Sequence, residues 1–225
     1  TGFDLPIALS VLSAHGLLNT AACGRTLFVG DIALSGELRP VRGILPMVLS
    51  ALEHGFEAVV VPLKNAGEAS LVKGIRVRPA RTLKEVTDWL EQGEGLPLDS
   101  SPNIIEETVS APSAEADFSQ LNGQLVLRRA CEVAAAGMHN LLMVGPPGAG
   151  KTMAARALPG ILPELQKEER MELARIYSVS GRFTERREQF YDRPFRCPHY
   201  SVTATALVGG GRVPQPGEIS LAHKG

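Results

Sequence analysis

Apolar residues come in short blocks separated by polar or glycine-containing breaks, and the spacing within each block predicts the element. Residues 26–34 (TLFVGDIAL) predict a strand closed by Ser35-Gly36. Residues 44–54 predict a short helix stopped by Gly55. Residues 58–61 (AVVV) have no polar alternate and predict a buried strand. Asn65, followed by Glu68, predicts a capped helix start. Residues 75–78 alternate and predict a half-exposed strand, and Thr82 with Glu85 forms a capping box for a helix through Trp89. The first part is therefore an α/β domain, and no internal repeat is present.

A second set of blocks starts near Phe118. Residues 125–136 predict a helix ended by Gly137, and residues 141–144 (LLMV) a buried strand. A glycine-rich loop follows, then a helix over 151–158 and an amphipathic, charged helix over 164–177. Beyond it the chain is irregular and rich in Gly, Pro and Arg.

Charge divides the two sets. Residues 91–118 carry 7 acidic and no basic side chains, with Pro and Ser among them. Such a segment cannot bury a face and reads as a mobile linker. The division is thus 1–92, an acidic linker at 93–117, and 118–225. Residues 119–225 hold 14 basic against 9 acidic side chains, compatible with a polyanionic partner or with a nucleotide.

The 225 residues are 44% hydrophobic and 21% charged, a globular composition. No apolar run approaches the roughly 18–20 residues of a membrane span, so no membrane partner is expected. The chain opens Thr1-Gly2-Phe3-Asp4 with neither an initiator Met nor a basic leader, and reads as a fragment. Three scattered cysteines point to a reducing compartment.

The loop carries the chemistry. Residues 145–152 (GPPGAGKT) match GxxxxGK[ST] at Gly145, Gly150, Lys151 and Thr152. Glycines let the backbone wrap closely and turn its N–H groups inward. Lys151 is placed for the β- and γ-phosphates, and Thr152 for Mg²⁺. The ATP site is thus expected from Gly145, Pro146, Pro147, Gly148, Ala149, Gly150, Lys151, Thr152 and Met153, with Lys151 and Thr152 the catalytic pair and Thr152 the metal ligand. Hydrolysis also needs an acidic residue ending a second strand. No apolar run after residue 152 ends that way, and Asp31 reads as a turn residue. The chain is expected to bind ATP and to hydrolyse it poorly.

Residues 117–124 (DFSQLNGQ), 128–140 (RRACEVAAAGMHN), 193–201 (RPFRCPHYS), 207–211 (LVGGG) and 216–225 (PGEISLAHKG) resemble the ATPase core of magnesium-chelatase-like AAA+ proteins. The resemblance implies a P-loop NTPase three-layer αβα domain. It implies an acidic Mg²⁺ strand directly after the motif ending at Gly225, and Gly123 and Gln124 beside the adenine. Residues 27–36, 39–43 and 55–65 resemble the proteolytic domain of Lon proteases, with its ribosomal-S5-domain-2-like α/β fold. The nucleophile and base positions fall at Asp4 and Leu45, which cannot act as a serine–lysine dyad. A Lon-like domain ahead of a chelatase-like ATPase resembles the competence protein ComM family. That implies a cytoplasmic, ring-forming, hexameric ATPase acting on branched or single-stranded DNA in recombination of transforming DNA, with ATP and Mg²⁺ as cofactors. A chelatase subunit driving metal insertion into a porphyrin and a non-hydrolysing regulatory module are the alternatives.

Other residues have plainer readings. Arg182, Arg186, Arg187, Arg193 and Arg196 alternate with acids and read as a solvated mixed-charge face. Phe183, Phe190, Tyr191, Phe195 and Tyr200 read as packing rather than base stacking. Cys197, His199 and His223 lack zinc spacing. Cys23 and Cys131 read as small buried residues. Gly209-Gly210-Gly211 read as part of a hairpin.

Overall fold

The computed structural model describes residues 2–19, 23–92, 96, 117–183 and 192–225. The linker expected at 93–117 lies outside them except for Leu96 and Asp117, as do Arg186, Arg187, Phe190 and Tyr191. The chain divides into two compact units, residues 1–104 with 177–185, and residues 105–176 with 186–225. No helix among the described residues is long and apolar enough to cross a membrane.

The first unit contains α1 (Asp4–Ala14), β1 (Thr26–Phe28), β2 (Asp31–Ile32), β3 (Leu38–Arg39), α2 (Ile44–Glu53), β4 (Ala58–Pro62), α3 (Ala66–Ala69), β5 (Arg76–Ala80) and α4 (Leu83–Gln92). Three strands form a parallel sheet in the order β1-β4-β5, with Val59 opposite Leu27 on one side and Val77 on the other. All five residues of β4 are buried. A central parallel strand covered on both faces requires such an unbroken apolar run. Leu5, Leu9, Val60, Val86, Trp89 and Leu90 form a core between sheet and helices. The Arg78 guanidinium lies 5.1 Å from the Trp89 ring centroid and donates to the Leu96 carbonyl at 2.7 Å.

The strand expected over 26–34 is broken. Gly30 donates its N–H to the Gly2 carbonyl, and its own carbonyl accepts from Leu5 N–H, both at 3.0 Å. The start of α1 thus takes the backbone groups that would have continued the ladder. The chain then turns into β2, antiparallel to β3, so Asp31 is a strand residue opposite Arg39 and not a turn residue. Leu45, at the base position implied by the protease resemblance, is fully buried in α2, and Asp4 is the first residue of α1.

Asn65 was expected to cap α3, but its side chain makes no cap bond there. It exchanges two hydrogen bonds with Val41 and donates a third to the Glu68 carboxylate at 3.2 Å. The Thr82 hydroxyl does accept from Glu85 N–H at 3.2 Å. Glu85 returns its carboxylate to Arg81 N–H and not to Thr82.

The second unit holds α5 (Leu125–Gly137), α6 (Lys151–Ala157) with a 3-10 turn (Leu158–Ile161), and most of α7 (Lys167–Ser180). It also contains α8 (Ala204–Val208), the short hairpin β6 (Gly209–Gly210) and β7 (Gln215–Pro216), and α9 (Glu218–Leu221). The three glycines therefore begin the hairpin, Gly209 pairing with Pro216. At the end of α5 the left-handed residue is Met138, φ 51°, not Gly137. α7 starts three residues later than expected: Gln166 occupies the cap position, and its N–H is bound by Glu169 at 3.0 Å.

Residues 141–144 are a correction. They form no paired strand among the described residues. Leu141 and Met143 pack against the cluster of Leu121, Cys131, Ala154 and Ala157, whereas Leu142 and Val144 are 87% and 88% exposed. An apolar run states that a segment prefers burial, but only neighbouring strands cover its second face.

Candidate functional site

The glycine loop joins the extended segment 141–144 to α6. Gly148 and Gly150 adopt φ of 77° and 78°, a region that opposes a side chain. Alternating handedness in successive residues curls the backbone into a concavity lined by N–H groups. Gly150 is the cap residue of α6, so the N–H groups of Lys151 and Thr152 begin the helix without intrahelical acceptors.

The Lys151 ammonium curls back over the loop and donates to the carbonyls of Gly145 and Pro146, each at 2.7 Å. These contacts draw the ammonium back over the loop. Thr152 and Met153 are exposed on the first turn of α6, and the backbone from Gly145 to Gly148 is also exposed. Such a set fits the phosphates of a nucleotide: a cation, open N–H groups and a hydroxyl on one accessible loop. The hydroxyl of Thr152 suits Mg²⁺, a hard cation that keeps most of its waters.

Gln124 reaches the same loop, and Gly123 precedes it in the chain. Both have left-handed backbones, φ 73° and 42°. The Gln124 side-chain amide donates to the Ala149 carbonyl at 2.8 Å. Nothing in residue spacing announces this bond, which spans 25 positions; only the Gly-Gln pair ahead of a helix hints at it.

Several other candidates are placed elsewhere. Arg193 is not on a solvated face: its side chain is 6% exposed and donates to the carbonyls of Pro163 and Lys224, both at 2.6 Å. Arg196 forks onto Glu218, with bonds of 2.6 and 2.7 Å. His199 bonds Ser201, and His223 bonds Glu172. Among the described residues no three His, Cys, Asp or Glu are grouped to hold a metal. Cys131 is buried, Cys23 half-buried and Cys197 exposed. Burial pushes the Cys23 and Cys131 thiols up, away from thiolate chemistry. Tyr200 is exposed and tilts over His199, ring centroids 4.1 Å apart.

Comparison with known proteins covers both units. The family model described as magnesium chelatase, subunit ChlI, matches residues 117–225, and the one described as subunit ChlI of Mg-chelatase matches residues 1–65. An uncharacterized protein of Mycobacterium tuberculosis is 44% identical over 99% of this chain and 44% of its own length. Competence protein ComM of Haemophilus influenzae is 42% identical over 99% of this chain and 43% of its own length. The protein YifB of Escherichia coli is 39% identical over the same share of each. The chain thus spans less than half the length of these relatives.

Proposed function

The chain belongs to the magnesium-chelatase-related family that includes competence protein ComM, and on that premise we propose that it is the nucleotide-binding part of an AAA+ ATPase that drives branch migration on DNA. The observation that carries the reading is the loop at 145–152, with two left-handed glycines and Lys151 drawn over its carbonyls. Lys151 holds the β- and γ-phosphates, and loop N–H groups take the remaining phosphate oxygens. Thr152 holds Mg²⁺, and Gly123 and Gln124 complete the site. Bound Mg²⁺-ATP supplies the phosphoanhydride whose cleavage drives the work. The lysine exchanges two carbonyl partners for phosphate oxygens, a stronger charge-assisted contact.

The DNA part of the proposal takes its support from the resemblance to the competence protein ComM family. The motifs at 27–36, 39–43 and 55–65 support a Lon-like first domain without a protease dyad, since Asp4 and Leu45 occupy the nucleophile and base positions. A homohexameric ring in the cytoplasm belongs to the same reading. A second reading, a chelatase-type ATPase that drives metal insertion into a porphyrin, draws on the names of the matching family models. ATP turnover by the chain extended to the full length of its relatives, measured with and without branched DNA, separates the two. The DNA reading expects turnover to rise several-fold with the branched substrate. Turnover indifferent to DNA would overturn it and leave the chelatase-type reading.

A further inference from the structure

Three carbonyls of the phosphate loop accept from side chains. Those of Gly145 and Pro146 accept from Lys151, and that of Ala149 accepts from Gln124. A trans peptide is rigid, and its C=O and N–H lie in one plane and point in opposite directions across the C–N bond. The two peptides held by Lys151 end in Pro146 and Pro147, which carry no N–H. The peptide held by Gln124 ends in Gly150, which carries one. Gln124 therefore grips the one peptide of the three whose far side is a donor.

The backbone of Gln124 supports a purpose for its side chain. It lies at φ 42° and ψ 51°, a left-handed conformation that strains a side-chain-bearing residue. Glycine would relieve that strain but would remove the amide that reaches Ala149.

We propose that Gln124 is a positioning residue of the phosphate loop: its amide holds the Ala149 carbonyl so that Gly150 N–H faces the polyphosphate. Its action is on the phosphate chain and not on the base. The proposal rests on the nucleotide-binding reading above. It also makes the start of α5 a brace for the loop.

The test is binding of Mg²⁺ with inorganic tripolyphosphate, and separately with ATP, to the full chain and to its Gln124→Met, Gln124→Glu and Gln124→Asn variants. Melting curves confirm that each variant folds. Met and Glu keep the length but offer no N–H, and Asn keeps the left-handed backbone but is too short. All three are expected to lose about tenfold or more in affinity, equally for tripolyphosphate and ATP. Loss for ATP alone would place Gln124 at the base and overturn the proposal. So would wild-type affinity in the Asn variant, which would assign the effect to the backbone. In the unaltered chain, the Gly150 amide resonance is expected to shift on adding tripolyphosphate, and an unmoved resonance would also overturn it. Failure of the unaltered chain to bind either ligand is a different result and removes the phosphate-loop reading itself.

Discussion

Asn65 and Val41 exchange two hydrogen bonds: the side-chain carbonyl of Asn65 accepts from Val41 N–H, and its amide donates to Val41 C=O, each at 2.9 Å. The side chain does for Val41 what a neighbouring strand would do. Asn65 is 5% exposed and also donates to Glu68, whose other oxygen accepts from Leu45 N–H at 3.2 Å. One amide thus ties the loop before α2 to the turn after β4.

Asn65→Ala removes both side-chain partners from the partly buried backbone groups of Val41. The expected loss is about 2–3 kcal/mol of unfolding free energy in the first unit, measured by urea denaturation. A loss below about 0.5 kcal/mol would contradict the assignment.

In the second unit Arg193 bridges Pro163 and Lys224, and its guanidinium lies 3.6 Å from Glu169. Arg193→Ala is expected to cost about 3 kcal/mol, because two carbonyls and a carboxylate lose a buried donor. Arg193→Lys recovers only part of this, since one ammonium cannot match the geometry of the fork. Thermal melting of the two variants gives the ranking.

The Arg196–Glu218 fork is partly exposed, at 34% and 20% of the two side chains. A double-mutant cycle with Arg196→Ala and Glu218→Ala is expected to give about 1 kcal/mol of coupling. Coupling that survives 1 M salt unchanged would contradict this solvent-screened assignment.

Acid should weaken the second unit. Glu169 is held below the ordinary carboxylate value, first by the Gln166 N–H and then by Arg193 and Lys224. Glu172 is lowered first by its hydrogen bond with His223 and then by Lys224. A depressed folded-state value means that stability is fully present above the unfolded value, near 4.5, and drains as pH falls through the folded one. The melting temperature should therefore fall with pH below about 5, and Glu169→Gln should flatten that slope. An equal slope in the variant would refute the linkage.

Composition revealed some of this structure and hid the rest. The run 58–61 was legible as a buried strand because β1 and β5 flank it and helices cover its faces. The run 141–144 is just as apolar, yet two of its side chains face solvent. Spacing found the Thr82–Glu85 cap because both partners lie within one turn. It misassigned Asn65 because its chief partner lies 24 positions away. Arg193 was unreadable for the same reason: its acceptors are backbone carbonyls 30 and 31 positions distant. The turns of the glycine loop at 145–152 were legible because their cause is local, whereas the Gln124 bond to Ala149 was not.

The central claim is that residues 145–152 hold the phosphates of a nucleotide, and its most direct test is calorimetric titration of Mg²⁺-ATP into the chain and its Lys151→Ala variant. The expected result is saturable binding by the unaltered chain and a loss of about 100-fold or more in the variant, roughly 2.7 kcal/mol. Lys151 is partly exposed, so the variant should melt within a few degrees of the parent. Equal affinity in the two proteins, or no binding by the unaltered chain, would contradict the account.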